Sequence, residues 1–84
     1  MNKIQWTTKA LRQARKLPPQ VQSTIAHAVD TLERWPHVEQ VKALQGREGY
    51  RLRIGRYRIL FTVHSGIPLI IQIEEVKKRD EHTY

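Results

Sequence analysis

The sequence has 84 residues, of which 15 are Lys or Arg and eight are Asp or Glu, so its formal net charge is +7. It contains no cysteine, which excludes disulfides and cysteine-bearing metal sites, and no apolar run approaches the roughly 20 residues that a membrane span requires. The length predicts one domain over residues 1–84, and the lack of cysteine and of a long apolar run favours the cytoplasm. The basic excess favours a polyanion or an acidic protein as the partner.

The N-terminal half predicts one strand followed by two helices. Apolar and polar residues alternate over the first six positions, which is typical of a short strand, and a threonine pair then offers a helix cap. The first helix must end before Pro18, because a residue that precedes proline is disfavoured in the helical conformation. A second helix can begin near Pro19, and its apolar stripe runs to Trp35, where Pro36 ends it.

The C-terminal half changes to the two-residue period of strands. Alternation predicts strands over residues 50–54 and 57–64, joined by a turn at Gly55-Arg56, since glycine in the first central position suits type II′. Residues 69–76 predict another strand, which should be central or well covered because it begins with apolar residues on both faces. Residues 41–45 predict a further short strand. These elements predict an α+β fold of order β-α-α-β-β-β, to which the short strand over residues 41–45 adds a fourth strand of the C-terminal half. The first strand should join the edge of an antiparallel sheet, and the helical hairpin should pack on one face of that sheet.

Three arginines fall on the face of the predicted hairpin that is opposite to its apolar residues: Arg51, Arg53 and Arg58. With the turn at Gly55, Arg53 and Arg58 lie within about two residues of facing each other, and like charges at that distance cost stability. A bound anion would offset this cost. The plainer interpretation is three solvated arginines on an uncovered face.

Three segments carry a resemblance to a known family: residues 44–46, residues 50–61 around the turn, and residues 73–79 followed by Tyr84. They resemble the central hairpin, the last strand and the C-terminal tail of the RelE/ParE toxin superfamily. RelE-like members are endoribonucleases that mostly cut messenger RNA in the ribosomal A site, without a metal ion, and ParE-like members inhibit DNA gyrase. The resemblance implies the RelE-like activity, with gyrase inhibition as the alternative and a nucleic-acid-binding module without chemistry as a third possibility.

The resemblance also implies a set of site residues. The catalytic candidates are Arg58, Arg79, His82 and Tyr84, with the arginines on the scissile phosphate, His82 as base and Tyr84 stacking on a base or bonding to a phosphate oxygen. The residues that would bind RNA phosphates are Lys42, Arg51, Arg53, Arg56, Lys77 and Lys78. No cofactor is expected, and no metal is expected because no pair of histidines has the spacing and acidic support of a zinc site. In metal-free cleavage the nucleophile is the 2′-hydroxyl of the RNA itself. Glu48 precedes the strand and is not expected to act, and His64 is a weaker candidate than His82.

The partners that follow from the resemblance are messenger RNA, the 70S ribosome and a cognate antitoxin. The net charge of +7 favours an acidic antitoxin segment. Operon DNA would be reached only indirectly, through the antitoxin complex, and no membrane is expected as a partner.

Overall fold

A computed structural model describes residues 2–78 of the chain. Its elements, in chain order, are β1 (Asn2–Trp6), α1 (Thr8–Arg15), α2 (Pro19–Asp30), a 3₁₀ turn (Thr31–Arg34), β2 (Val41–Ala43), β3 (Tyr50–Ile54), β4 (Tyr57–His64) and β5 (Leu69–Lys78). Neither helix of this part of the chain is long and apolar enough to cross a membrane.

The strands form one five-stranded sheet in the order β1-β5-β4-β3-β2. Neighbouring strands are antiparallel except for β1, which runs parallel to β5 at the edge of the sheet. Because β5 lies between β1 and β4, the central position predicted for residues 69–76 is confirmed, as are the edge position of the first strand and the α+β class. The turn between β3 and β4 has Gly55 at φ +54, the positive value that a type II′ turn requires at its first central residue.

The two helices begin where the sequence predicts. The Thr7 hydroxyl caps α1 by accepting a hydrogen bond from the Ala10 N–H (3.0 Å), and it donates one to the Glu74 carbonyl of β5 (3.2 Å). The second helix is shorter than predicted: α2 ends at Asp30, and its apolar stripe continues through the 3₁₀ turn. Trp35 leaves the helical conformation with ψ 135, which the proline after it favours.

The hydrophobic core lies between the helices and one face of the sheet. Its buried members are Ala10, Ile25, Val29, Leu32, Leu52, Ile59, Phe61, Ile71, Ile73 and Val76. The Trp35 ring packs edge-on against Tyr50 and Phe61, with ring centroids 4.7 and 5.6 Å apart, so this tryptophan belongs to the core. Both helices therefore cover one face, and the opposite face of the sheet remains for other contacts.

Candidate nucleic-acid interface

A row of cations crosses the face of the sheet that is turned away from the helices. Arg53 of β3 lies directly opposite Arg58 of β4, and Arg58 lies directly opposite Lys77 of β5. In the neighbouring row Lys42 of β2 lies opposite Arg51 of β3. We call these five residues, Lys42, Arg51, Arg53, Arg58 and Lys77, the basic face. The predicted placement of the three arginines opposite the core residues is confirmed, and Arg53 and Arg58 face each other directly.

Two adjacent depressions open on the basic face. One, of about 160 Å³, is lined by Arg51, Arg53, Gly55, Arg56, Tyr57 and Arg58. The other, of about 310 Å³, is lined by Gln40, Val41, Lys42, Arg51 and Arg53. Both are several times larger than the roughly 30 Å³ of a water molecule, and arginine guanidinium groups suit phosphate geometry, so each can hold a phosphate group.

Among the described residues, the arginines of the basic face have no acidic partner. Within residues 2–78, no carboxylate forms an ion pair with Arg51, Arg53 or Arg58. Arg53 is exposed, and Arg51 and Arg58 are partly buried. Cations that face each other across a sheet repel, and a cation at the surface without an acidic partner is available to an anionic ligand. The charge distribution of this face therefore fits a polyanion.

Glu75 of β5 is the acidic residue on which three cations converge. Its carboxylate lies 3.2 Å from the Lys9 ammonium, 3.6 Å from the Lys77 ammonium and 3.9 Å from the Arg47 guanidinium. Burial by itself raises the pKa of Glu75, but the hydrogen bond from Lys9 and the charges of Lys77, Lys9 and Arg47 outweigh burial and hold this pKa below its ordinary value of 4.5. The carboxyl group is therefore ionised at neutral pH.

Arg47 reaches Glu75 from the loop of residues 44–49, which joins β2 to β3. This loop lies close against β4: a Cβ at Gly49, whose φ is +113, would stand 2.9 Å from the Phe61 carbonyl oxygen. Leu60 lies in register between Arg51 and Glu75 and faces away from the helices, yet it is only 7% exposed. Arg47 therefore reaches across β4 from the loop between β2 and β3 to its contact with Glu75 on β5.

A second polar cluster lies further along the same face. The Glu74 carboxylate accepts hydrogen bonds from the Thr62 hydroxyl (2.9 Å) and from the Gln72 amide (2.7 Å). Because Thr62 donates to Glu74, its oxygen accepts the 2.9 Å bond from His64, whose Nε2 then carries a proton. His64 is six positions from Arg58 along β4, about 20 Å in a strand, so the structure does not bring this histidine to the arginine row.

The other predicted site residues have three different placements. Arg56 lies in the turn and lines the smaller depression. Lys78 lies opposite Tyr57, whose side chain packs against the core, so it does not share the face of Lys77. Arg79, His82 and Tyr84 lie outside the described residues. Glu75, Lys9 and Arg47 were not among the residues predicted from the sequence to form a site.

Comparison of the whole fold with solved structures finds several that are similar to it. The chain is similar to a chain of the RelBE2 toxin–antitoxin complex from Mycobacterium tuberculosis, with 28% identity, a TM-score of 0.77 and coverage of 92% of this chain and 96% of that one. It is similar to a chain of the RelE–RelB complex from Pyrococcus horikoshii (22% identity, TM-score 0.78, 95% and 97% covered). It is also similar to the isolated RelE toxin of Escherichia coli (19% identity, TM-score 0.78, 96% and 87% covered).

The α+β sheet with its helical hairpin is thus the fold of the RelE-like toxin superfamily. The solved structures that share it include RelE toxins, alone or in complex with RelB, and a YoeB dimer from Staphylococcus aureus. The sequence matches no protein-family model and no curated protein. The family resemblance drawn from the hairpin residues is confirmed at the level of the superfamily.

Proposed function

We propose that this chain is the toxin of a toxin–antitoxin pair and an endoribonuclease that cleaves messenger RNA in the ribosomal A site. The observation that carries the proposal is the row in which Arg53, Arg58 and Lys77 face one another across three strands. Such a row costs stability in the absence of a ligand. Bound RNA phosphates offset this cost, so the row favours a phosphate-binding role over a solubilising one.

The reaction is attack of the 2′-hydroxyl of the RNA on the adjacent phosphorus. The 2′-oxygen forms a bond to phosphorus and the bond to the 5′-oxygen breaks, which yields a 2′,3′-cyclic phosphate and a 5′-hydroxyl. The 2′-hydroxyl loses a proton and the leaving 5′-oxygen gains one. Catalysis therefore needs a base, an acid and positive charge on the phosphate oxygens.

Arg58 is the residue to which we assign the charge stabilisation, because it is central in the row and lines the smaller depression. Arginine remains protonated throughout and bonds two phosphate oxygens at once, so it supplies this charge without a metal ion. Arg51 and Arg53 hold the same phosphate or its neighbours. Arg79 joins Arg58 at the scissile phosphate in this proposal.

Two residues of the tail supply the proposed base and a further contact with the RNA. His82 is the proposed base, because imidazole is the side chain whose ordinary pKa lies closest to neutrality. Tyr84 stacks on a nucleobase or hydrogen-bonds to a phosphate oxygen, as aromatic side chains do in RNA sites.

The proposed regulator is an antitoxin. Solved structures with this fold include RelE–RelB complexes, in which the toxin is held by its antitoxin. A net charge of +7 suits an acidic antitoxin segment, which would shield the basic face. In this proposal the chain acts in the cytoplasm, where messenger RNA and 70S ribosomes are its partners.

Primer extension on messenger RNA after brief expression tests this function. Wild type should create new 5′ ends within translated regions, and Arg58→Ala should abolish them. Arg12→Ala, which removes the same charge from the exposed surface of α1, is the matched control and should still cut. Growth arrest with intact messenger RNA would contradict the proposal, and blocked DNA supercoiling in vitro would then support gyrase inhibition instead. Salt-sensitive RNA binding with neither effect would indicate a binding module.

A further inference from the structure

The residue that organises the cations next to Arg58 is an acid. Glu75 is two positions before Lys77 on β5, and both side chains lie on the face turned away from the helices. The Glu75 side chain is 14% exposed, whereas the side chains of Lys77 and Arg47 are 52% and 55% exposed. Glu75 is therefore the fixed member of the group, and the long cationic side chains are the movable members.

We propose that Glu75 is a positioning residue, which holds Lys77 and Arg47 over the basic face in the orientation that RNA cleavage requires. This inference rests on the proposed ribonuclease function and assigns to it a residue that touches no substrate. The Lys77 ammonium lies 3.6 Å from the Glu75 carboxylate, which keeps it over the sheet beside Arg58. Arg47 belongs to a loop rather than a strand, and its contact with Glu75 brings a further cation to the same face.

Positioning is a different contribution from attraction. Mobile cations attract an RNA strand about as well as fixed ones, because attraction depends on net charge and salt concentration. Stabilising the developing charge on a phosphate requires cations that are already oriented before the reaction begins. A single exposed ion pair would be too weak to orient a lysine, but here three cations share one largely buried carboxylate.

Glu75→Gln separates these two contributions. It removes a negative charge beside a bound polyanion, so the affinity for single-stranded RNA should stay the same or rise. The cleavage rate at saturating concentrations of ribosomes loaded with messenger RNA should fall by about three- to tenfold, because Lys77 and Arg47 lose their anchor. Glu33→Gln makes the same charge change at an exposed position of the 3₁₀ turn and should alter neither quantity. If affinity and rate fall together in proportion to a loss of folded protein, Glu75 is merely structural.

A double-mutant cycle tests whether Glu75 acts through Lys77. In a Lys77→Ala background the carboxylate has lost the cation that it positions, so adding Glu75→Gln should lower the cleavage rate much less than it does in wild type. The remaining effect of Glu75→Gln on the cleavage rate should disappear when Arg47→Ala is added. An equal loss of rate in the wild-type and Lys77→Ala backgrounds would overturn the proposal.

Nitrogen-15 NMR of the lysine ammonium groups separates this proposal from the proposed function. A Lys77 resonance slowed in hydrogen exchange should be present in wild type, absent in Glu75→Gln, and shifted by an RNA oligonucleotide that 2′-O-methyl groups make uncleavable. A shifted Lys77 resonance in a protein that cuts no RNA would support the positioning of Lys77 and contradict the ribonuclease. A Lys77 resonance that is the same in wild type and Glu75→Gln would overturn the role of Glu75. So would a Lys77 resonance that bound RNA does not shift in a protein that does cleave messenger RNA.

Discussion

Replacing Arg58 by methionine should remove activity and at the same time stabilise the fold. Arg58 has a cation directly opposite on each side, Arg53 on β3 and Lys77 on β5, and neighbouring strands lie about 4.8 Å apart. Methionine keeps the unbranched aliphatic stem of arginine and removes the charge, so that packing against the sheet is largely retained. This substitution therefore isolates the electrostatic cost of the row.

The expected gain follows from the two like-charge contacts. Each directly opposite pair costs roughly 0.2–1 kcal/mol, and the Lys77 contact is the weaker of the two because Glu75 lies 3.6 Å from that ammonium. With a discount for solvent screening, the net gain is at most about 1 kcal/mol. In a domain of this size, that gain raises Tm by about 4–8 °C. The Debye length falls from about 10 Å at 0.1 M salt to about 3 Å at 1 M, so the gain should shrink strongly at high salt.

Thermal unfolding followed by circular dichroism, at 0.05 M and 1 M NaCl, measures this effect. Arg58→Lys retains the charge and is the matched control, which should unfold close to the wild-type temperature at both salt concentrations. If Arg58→Met unfolds at a lower temperature than wild type in low salt, or if its gain is the same in high salt, the cations of the row do not repel one another. Repulsion within the row would then give no reason to expect a bound anion there.

Three further changes test the fold and the charges around the basic face. The pKa of Glu75 is lowered in the folded protein, so its stabilising contribution is fully present above the ordinary value of 4.5 and is lost as the pH falls through the lower pKa of the folded state. Urea unfolding of wild type and Glu75→Gln should therefore converge in acid. Thr7→Ala removes the hydroxyl that accepts from the Ala10 N–H and should cost about 1 kcal/mol in urea unfolding, whereas Thr7→Ser should cost much less. Gly49→Ala places a Cβ at a residue with a left-handed φ of +113 and 2.9 Å from the Phe61 carbonyl oxygen, so it should lower the free energy of unfolding by more than about 1 kcal/mol. A smaller loss would show that the loop can move away from β4.

The arginine face could be predicted from the sequence because strand alternation and one turn determine it. Gly55 fixes the two-residue turn, the turn fixes the register of β3 with β4, and the register places Arg53 opposite Arg58. The core could be predicted for the same reason, since the apolar stripe of α2 and the alternating strands mark its two sides. These are local patterns, and the structure preserves them.

The cluster around Glu75 could not be predicted, because a β-bulge changes the alternation of β5. Leu60 lies opposite Glu75 but Phe61 lies opposite Ile73, so Glu74 is an extra residue in β5. Strict alternation from Ile73 would place Glu75 on the core side, and the bulge moves it to the basic face. Its partners Lys9 and Arg47 come from a helix and a loop that are distant in sequence, and no local pattern indicates that they meet.

The parallel pairing of β1 with β5 was not predicted either: the sequence pattern indicated an antiparallel sheet with the first strand at its edge, and four of the five strands fit that description. The length of α2 was overestimated, because the apolar stripe continues at nearly the same spacing through the 3₁₀ turn at Thr31–Arg34. A hydrophobic period indicates which residues face the core. It does not distinguish an α-helical turn from a tighter one.

The most direct test of the central claim is the chemistry of the RNA ends that the purified protein makes on a messenger RNA in a translating ribosome. Attack by the 2′-hydroxyl predicts a 5′-hydroxyl on the downstream fragment, which polynucleotide kinase labels without prior phosphatase treatment. It also predicts that a single 2′-deoxy nucleotide at the cleavage site blocks the reaction and that Arg58→Ala makes no ends. Fragments with 5′-phosphate ends, or cleavage that continues at a 2′-deoxy nucleotide, would contradict the account.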